Sequence, residues 1–210
     1  MQLIGMLDSP YVRRTAISMD VLGLTFEHQA VSVFSTFEQF RRINPVVKAP
    51  SLVCNDGTVL MDSTLIIDYA EALAGRSLMP AEPAARQTAL RMTGLALAAC
   101  EKAVQRVYER NLRPAGKQHQ PWLDRVTGQL LAACAALEQE VQRHAPAVDG
   151  PGISQAGISS AVTWQFIQSM LADVVPAAQH PALAALSQTA EQTARFRAWP
   201  PDGPGVVAAP

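Results

Sequence analysis

The sequence predicts two domains, an α/β domain at the N-terminus and an all-α helical domain after it. Short apolar runs alternate with helical patterns over the first 75 residues, in the order βαβαββα. Strand patterns then stop, and the remaining chain has the periodicity of long amphipathic helices. A turn-rich stretch, GRSLMPAEP, separates the two patterns. We therefore predict an α/β domain over residues 1–75, a linker over 76–83 and a helical domain over 84–210.

Local signals predict the elements of the first domain. Proline is favoured at the first position of a helix, so Ser9-Pro10 begins the first helix, and Gly23 ends it. Asn55-Asp56-Gly57 predicts a hairpin turn, because these residue types accept a positive φ. The opening strand, helix and strand predict a parallel pair with a right-handed crossover, to which the hairpin adds antiparallel strands. The predicted strands cover 2–6, 26–33, 51–54 and 58–61, and the predicted helices cover 10–22, 36–43 and 63–74.

Helical periodicity dominates the second domain. We predict helices over 86–112, 121–144, 158–174 and 181–195, and an irregular tail over 200–210, which contains four prolines and two glycines. Apolar residues at helical spacing predict the buried sides of two helices. These residues are Leu65, Ile66, Tyr69 and Leu73 in the third helix of the first domain, and Leu90, Leu97, Val104 and Tyr108 in the first helix of the second.

Composition excludes several classes of protein. With 49% hydrophobic residues and a formal charge of −1 over 210 residues, the chain is neither globally disordered nor basic enough to predict a nucleic-acid groove. No run reaches the roughly 18 apolar residues of a membrane span, and no basic leader or apolar signal region opens the chain. Three cysteines without a CxxC pair and four histidines without ligand spacing predict no metal site. We expect a cytoplasmic protein with reduced thiols.

Ser9 has two interpretations. As an N-cap, its hydroxyl accepts a hydrogen bond from a backbone amide of the first helix, which stabilises a helix by about 1 kcal/mol. Alternatively, a hydroxyl beside the positive end of a helix dipole donates to a bound anion, such as a substrate thiolate. Lowering a thiol pKa from about 8.5 by about two units requires roughly 2.7 kcal/mol. One hydrogen bond to a charged group and the helix dipole together supply an amount of this size.

Two further segments have both a structural and a binding interpretation. Lys48-Ala49-Pro50 precedes a strand, either as a plain loop or as a cis-proline turn whose Ala49 backbone binds an extended peptide, with Lys48 near a carboxylate. Asp62-Ser63 opens a helix, either as a capping sequence or as a site for an α-amino acid. In the second case the carboxylate of the amino acid meets Ser63 and the helix amides, and its ammonium meets Asp62.

The order of these motifs resembles one family. The chain resembles the glutathione S-transferases, specifically bacterial members with serine at the start of the first helix. The resemblance lies in a first strand followed in order by DSPYVRR at the start of a helix, NPVVKAPSL and DGTVLMDSTLIIDY. The resemblance extends over nearly the whole chain, to the ending ARFRAWPP. It implies a thioredoxin-like N-terminal domain, an all-helical C-terminal domain and a homodimer.

The resemblance also implies roles for single residues. Ser9 matches the residue that activates the glutathione sulfur. Ala49-Pro50 matches the cis-proline turn that pairs with the cysteinyl backbone, and Lys48 lies near the position used for the glycine carboxylate. Asp62-Ser63 matches the pair that holds the γ-glutamyl group. Around the second substrate, an electrophile bound between the domains, we expect Leu7, Tyr11, Tyr108, Arg110 and Arg113, although the two arginines alternatively form a solvated basic helix end.

The resemblance predicts a glutathione transferase in which glutathione is the co-substrate and no metal takes part. Its thiolate would attack small, mostly apolar electrophiles, an activity that implies a role in detoxification. Two alternatives remain open. One is a glutathione-dependent isomerase or dehalogenase on the same site, and the other is a non-catalytic interaction module with the same fold.

One segment departs from the family pattern. The core helix of the second domain usually begins with a Ser/Thr-x-x-Asp capping box, whereas this chain has Ser154-Gln155-Ala156-Gly157. Without the carboxylate, the reciprocal hydrogen bond of the capping box is lost, and we expect a loss of stability of about 1 kcal/mol.

Overall fold

A four-stranded mixed sheet organises the first unit of the protein. The computed structural model describes residues 1–204 and 206, and these divide into two units, residues 1–78 with 194–204 and residues 79–193 with 206. The elements of the first unit follow the predicted order βαβαββα. They are β1 (Gln2–Ile4), α1 (Pro10–Val21), β2 (Glu27–Gln29), α2 (Phe37–Ile43), β3 (Ser51–Val53), β4 (Val59–Met61) and α3 (Ser63–Ala74).

The strand order in the sheet is β2-β1-β3-β4. As predicted, β1 pairs in parallel with β2, and the β3–β4 hairpin adds antiparallel strands, with β3 next to β1. The apolar pattern predicted that the second strand extends to Val33, but β2 covers only Glu27–Gln29 because its partner β1 is itself three residues long. Val31 is buried instead in a cluster with Ile4 and Phe40.

Long helices form the second unit. Within it, α4 packs along α5 and α6, and α7 packs on α6. Among the described residues, no helix is both long and apolar enough to span a membrane. The helices are α4 (Pro83–Leu112), α5 (Gln120–His144), α6 (Gln155–Leu171) and α7 (Pro181–Glu191).

Two helices bury small or β-branched residues where the sequence predicted larger ones. Leu90 and Tyr108 of α4 are exposed to 55% and 38%, and Leu65 and Leu73 of α3 to 63% and 48%. The prediction of a buried side was wrong at these four positions, because apolar periodicity does not distinguish a face in the core from one left at the surface. Small side chains on α4 allow its neighbours to approach closely. The buried apolar residues are Ala89, Met92, Ala96, Ala99, Cys100, Ala103 and Val107 in α4, and Ile66, Ile67 and Ala70 in α3.

The end of the chain returns to the first unit. The predicted helix over 181–195 is divided into α7 and a short α8 (Ala194–Ala198). Phe196 of α8 is fully buried, and the guanidinium of Arg13 in α1 lies 5.7 Å from the centre of its ring. The same guanidinium donates to the carbonyl oxygens of Phe196 and Trp199. These contacts group residues 194–204 with the first unit, whereas the sequence assigned them to the helical domain. In the predicted irregular tail, residues 205 and 207–210 lie outside the described residues.

The buried carboxylate of Glu138 caps the first turn of α7. Glu138 of α5 is only 5% exposed, and its two oxygens accept from the backbone amides of Ala182 and Leu183, each at 2.8 Å. These amides belong to the first turn of α7, which has no capping hydrogen bond from the His180 side chain. Glu138 therefore acts as the cap of a helix that is distant in sequence, and the positive end of that helix stabilises its charge.

Gly157 suits the start of α6 because a side chain has no room there. The N-cap Ser154 accepts from the Gly157 amide at 3.2 Å, so half of the capping box is present. The Ser154 amide donates to the carbonyl oxygen of Ala147 at 3.2 Å, so this backbone contact replaces the missing carboxylate. A Cβ atom at position 157 would lie 2.2 Å from that same oxygen. The loss of stability expected from the sequence is therefore offset locally.

We expect Gly157→Ala to destabilise the protein, although alanine is the better helix former by about 1 kcal/mol. The added methyl group would push the segment at Ala147 away from α6, at a cost of about 1–3 kcal/mol. Gly94→Ala and Gly128→Ala are matched controls within helices, since a Cβ atom at either position meets nothing within 4 Å. Both controls should stabilise the protein by about 0.5–1 kcal/mol. Urea unfolding compares the three variants, and a Gly157→Ala protein as stable as the controls would contradict this packing argument.

Candidate functional site

Three strand ends meet at one edge of the sheet. Ser51, the first residue of β3, pairs with Ile4 at the end of β1 and with Met61 at the end of β4. Pro50 directly precedes Ser51, and Asp62 directly follows Met61. Because Ser51 and Met61 are paired, Pro50 and Asp62 are neighbours at this edge. The loop after β1 leads from the same edge to the start of α1. The strand pairing thus gathers the segments that contain the predicted site residues, Ser9, Lys48, Ala49, Pro50, Asp62 and Ser63.

The hydroxyl of Ser9 does not cap α1. Ser9 is half-buried at the N-cap position, with φ −73° and ψ 120°, and its carbonyl accepts from the Arg13 amide at 2.9 Å to close the first turn. Its side chain makes no capping hydrogen bond, and the first turn of α1 contains no acidic residue. The hydrogen bond expected if the Ser9 hydroxyl were an N-cap is therefore absent. A hydroxyl remains at the positive end of a helix, which favours an anion.

The turn before β3 has the conformation that the sequence predicted for a binding loop. The Ala49–Pro50 peptide is cis, Pro50 is buried and Ala49 is half-buried. Asn44, 2% exposed, donates to the Ser51 hydroxyl at 2.8 Å, and this hydroxyl donates to the Lys48 carbonyl oxygen at 2.8 Å. These two hydrogen bonds hold the loop from inside the fold, so the backbone of Ala49 has a fixed position.

Asp62 combines an unusual backbone with a capping side chain. Its φ is 77°, in the left-handed region that costs a residue with a side chain about 1–3 kcal/mol. Its Oδ1 accepts from the Thr64 amide at 2.9 Å, which makes Asp62 the N-cap of α3, and its Oδ2 lies 3.9 Å from the Lys48 ammonium. Both charged side chains are about half exposed, so the ion pair adds little stability. The two opposite charges are available at the surface of the site.

Arg14 and Asn44 are the site residues that the sequence analysis missed. Arg14 of α1 is 3% exposed and donates to the Ser63 hydroxyl at 2.7 Å. The signal for Arg14 was two successive arginines, Arg13 and Arg14, in a helix that is otherwise mostly apolar, since such arginines must find buried partners. Asn44 entered the sequence analysis only as the first residue of the segment NPVVKAPSL.

The end of the chain reaches the loop that precedes Ser9. The Asp8 amide donates to the Asp202 carbonyl oxygen at 3.1 Å. A Cβ atom at position 203 would lie 2.2 Å from Oδ2 of Asp8, so a larger residue there would have to displace the Asp8 side chain. Residues 202 and 203 therefore pack against the residue next to Ser9, a contact that separation in sequence hides from any local pattern.

The residues predicted around an electrophile differ in their surroundings. In the first unit Leu7 is buried and Tyr11 is half-buried. In the second unit Tyr108 is exposed, Arg110 lies 3.3 Å from Asp173, and Arg113 lies 2.8 Å from Glu109. The charges of both arginines are therefore matched by carboxylates. A surface cavity of about 370 Å³ lies between the C-terminal ends of α4 and α6, lined by Val107, Arg110, Asn111, Gln168, Met170 and Asp173.

The three cysteines of this chain are buried. Cys54, Cys100 and Cys134 form no disulfide. Burial raises the pKa of the Cys134 thiol to about 12. Within residues 1–204 and 206, no group of three or more histidine, cysteine, aspartate or glutamate side chains is placed to hold a metal ion.

Comparisons with known proteins agree with this arrangement. Residues 3–78 match the family model described as the N-terminal domain of glutathione S-transferase. Over 119 residues, 56% of this chain, the sequence is 29% identical to the uncharacterized GST-like protein YibF of Escherichia coli (strain K12), covering 58% of that protein. Over residues 3–78 the chain is therefore similar to the glutathione S-transferase family.

Solved members of the glutathione S-transferase family share the fold over nearly the whole chain. A glutathione S-transferase from Methylobacterium radiotolerans JCM 2831, in complex with glutathione sulfonate, has a TM-score of 0.88 at 23% identity, with 99% of this chain and 98% of that chain covered. A family member from Pseudomonas fluorescens Pf-5 with bound glutathione has a TM-score of 0.82 at 27% identity, with 96% and 99% covered. The chain spans about half the length of the curated relatives it matches.

Proposed function

We propose that this protein is a glutathione transferase of the serine type, which binds glutathione at the sheet edge and transfers it as a thiolate to an electrophile. The observation that carries the proposal is the hydroxyl of Ser9, which stands at the start of α1 without a capping hydrogen bond. Such a hydroxyl donates to a sulfur anion without losing its own proton. The hydrogen bond contributes about 1.5–3 kcal/mol and the helix dipole up to about 2 kcal/mol.

The other segments at the edge suit the remaining parts of glutathione. The fixed backbone of Ala49 offers an amide and a carbonyl to the cysteinyl residue, as an added strand would use them. The Lys48 ammonium suits the glycine carboxylate, and Asp62 suits the ammonium of the γ-glutamyl group. Ser63 and the first turn of α3 suit the α-carboxylate of that group.

The reaction needs only a larger thiolate population and proximity. The thiol proton of glutathione leaves to solvent, and Ser9 stabilises the sulfur anion that remains. The sulfur then forms a bond to an electrophilic carbon, which either expels its leaving group or, in an addition, passes the electron pair to an acceptor. Holding both reactants together removes much of the entropic cost. In the first unit, Leu7 and Tyr11 are the proposed apolar contacts of the electrophile, whose identity decides whether the role is detoxification.

Ser9→Ala should raise the apparent pKa of the bound glutathione thiol by about 1–2 units, the equivalent of one hydrogen bond to a charged group. The affinity for glutathione should stay within a few-fold, and conjugation should slow at neutral pH but recover as the pH exceeds the raised pKa. The thiolate absorbance of bound glutathione, titrated against pH, measures the change. Ser9→Thr, which keeps the hydroxyl, is the matched control. An unchanged thiol pKa in Ser9→Ala would remove Ser9 from the mechanism.

Products formed from an electrophile distinguish a transferase from an isomerase, a dehalogenase and an interaction module. A transferase consumes glutathione and forms a thioether, whereas a glutathione-dependent isomerase regenerates glutathione, and a dehalogenase releases halide. Product analysis by mass spectrometry separates these reactions. A protein that binds glutathione but turns over none of a panel of electrophiles would instead be an interaction module with the same fold.

We also propose a homodimer in a reducing, cytoplasmic compartment. Leu65 and Leu73 of α3 are exposed, and we propose that the long helices of a second copy, where Leu90 of α4 is also exposed, cover them. Three cysteines without a disulfide among them are consistent with a reducing compartment. Fractionation of bacterial cells that express the protein tests the compartment, and recovery outside the cytoplasm would contradict it.

Sedimentation should show the wild-type protein at about twice the mass of the 22.6-kDa chain. Leu65→Glu combined with Leu73→Glu should shift it to the mass of one chain, because two charges would be buried in the interface. Leu131→Glu, at a leucine of α5 that is 37% exposed, is the control and should leave the dimer intact. A wild-type protein that sediments as a monomer at micromolar concentration would rule out this interface.

A further inference from the structure

A buried arginine lies behind the proposed γ-glutamyl subsite. Arg14 lies in α1 and is 3% exposed, which is unusual because arginine is rarely buried unless it is paired. Its Nη1 atom donates to the Ser63 hydroxyl oxygen at 2.7 Å and to the Thr64 hydroxyl oxygen at 3.3 Å. Arg14 therefore links the helix that begins with Ser9 to the first residues of α3.

The chemistry of this contact fixes the direction of a hydrogen bond. A guanidinium has donors and no acceptor, so the Ser63 oxygen must be the acceptor from Arg14. The single hydroxyl proton of Ser63 must then point to another acceptor. Among the residues that the structure describes, the Ser63 hydroxyl donates its proton to no acceptor. The proton is thus available to a ligand.

Without Arg14, the Ser63 hydroxyl could donate its proton either to a backbone carbonyl or to a ligand. Serine hydroxyls close to a helix readily donate to backbone carbonyls of their own chain, and a hydroxyl turned that way presents only its lone pairs to a ligand. A lone pair repels a carboxylate, whereas an O–H donor attracts it. A hydroxyl that accepts from a cation is also a stronger donor, because successive hydrogen bonds polarise one another.

We propose that Arg14 is a positioning residue that holds the Ser63 hydroxyl as a donor toward the α-carboxylate of a γ-glutamyl group. The inference rests on the proposed function, since it assumes that glutathione occupies this edge. It adds a specificity determinant in α1, the helix whose first turn holds the sulfur. Arg14 does not touch the ligand, and its effect is confined to the affinity for one carboxylate.

The test compares glutathione with two analogues of it. γ-Aminobutyryl-Cys-Gly lacks only the α-carboxylate, and glutaryl-Cys-Gly lacks only the ammonium. Calorimetric titration gives the ratio of each analogue's Kd to that of glutathione. In Arg14→Met we expect the preference for glutathione over γ-aminobutyryl-Cys-Gly to fall about tenfold, while the preference over glutaryl-Cys-Gly and the pKa of the bound thiol stay at the wild-type values.

The chain offers a matched control and a rescue. Arg13 precedes Arg14 on the same helix, is 1% exposed and binds the carbonyl oxygens at Phe196 and Trp199 instead. Arg13→Met should lower stability but keep both preferences. Arg14→Lys, whose ammonium also only donates, should recover part of the lost preference. In a Ser63→Ala background, Arg14→Met should change the preference no further, since the two residues act through one hydrogen bond.

Every outcome decides the proposal. An Arg14→Met protein that folds and keeps the wild-type preference for the α-carboxylate overturns it, as does an equal loss of both preferences. Where Arg14→Met does not fold, Arg14→Gln keeps polar groups for the neighbouring residues and should show the same selective loss. Wild-type protein that binds none of the three peptides would refute the proposed function itself, whereas retained preference in the Arg14 variants would refute only this inference.

Discussion

The pairing of β1 with β3 is the contact on which the candidate site depends. It joins Ile4 to Ser51, and the pairing of Ser51 with Met61 extends the same register into β4. A shift of one residue would turn every side chain of a strand to the opposite face. It would also separate the segments that begin or end at this edge, among them the cis-proline turn and the start of α3. The register of three short strands thus decides whether the site exists.

Hydrogen-bond donors at this edge are held ready by groups deeper in the fold. The Ser9 hydroxyl makes no capping hydrogen bond and the Ser63 hydroxyl accepts from Arg14, and we propose that both donate to a ligand. Asn44 fixes the loop at Ala49 through the Ser51 hydroxyl. Donors that are positioned before binding need no reorganisation when a thiolate or carboxylate arrives. The arrangement is typical of a site for an anionic peptide.

Local chemistry was sufficient to predict much of this site. Asp62-Ser63 was predicted to open a helix and does so, with the predicted end at Ala74, because a cap and its first turn lie within a few residues. For Ala49–Pro50 the sequence left a plain loop and a cis-proline turn open, and the structure has the cis-proline turn. Arg14 was not predicted, because its partner Ser63 is distant in sequence and only packing brings the two helices together.

Packing also explains the errors in the helical part of the fold. The leucine at position 90 has the spacing of a core residue, yet α4 buries its alanines instead, since these allow close approach of α5 and α6. The return of residues 194–204 to the first unit depends on Arg13 and Phe196 meeting across most of the chain. No periodicity contains that information, because each pattern describes one segment at a time.

The most direct test of the central claim is calorimetric titration of the purified protein with reduced glutathione and with S-methylglutathione. The account predicts saturable binding of both, one molecule per chain, because the peptide contacts at the sheet edge do not require a free thiol. It also predicts proton release on binding of glutathione alone near neutral pH, since only that ligand forms a thiolate beside Ser9. Absence of binding at millimolar concentration would contradict the glutathione site, and equal proton release by both ligands would contradict thiolate formation there.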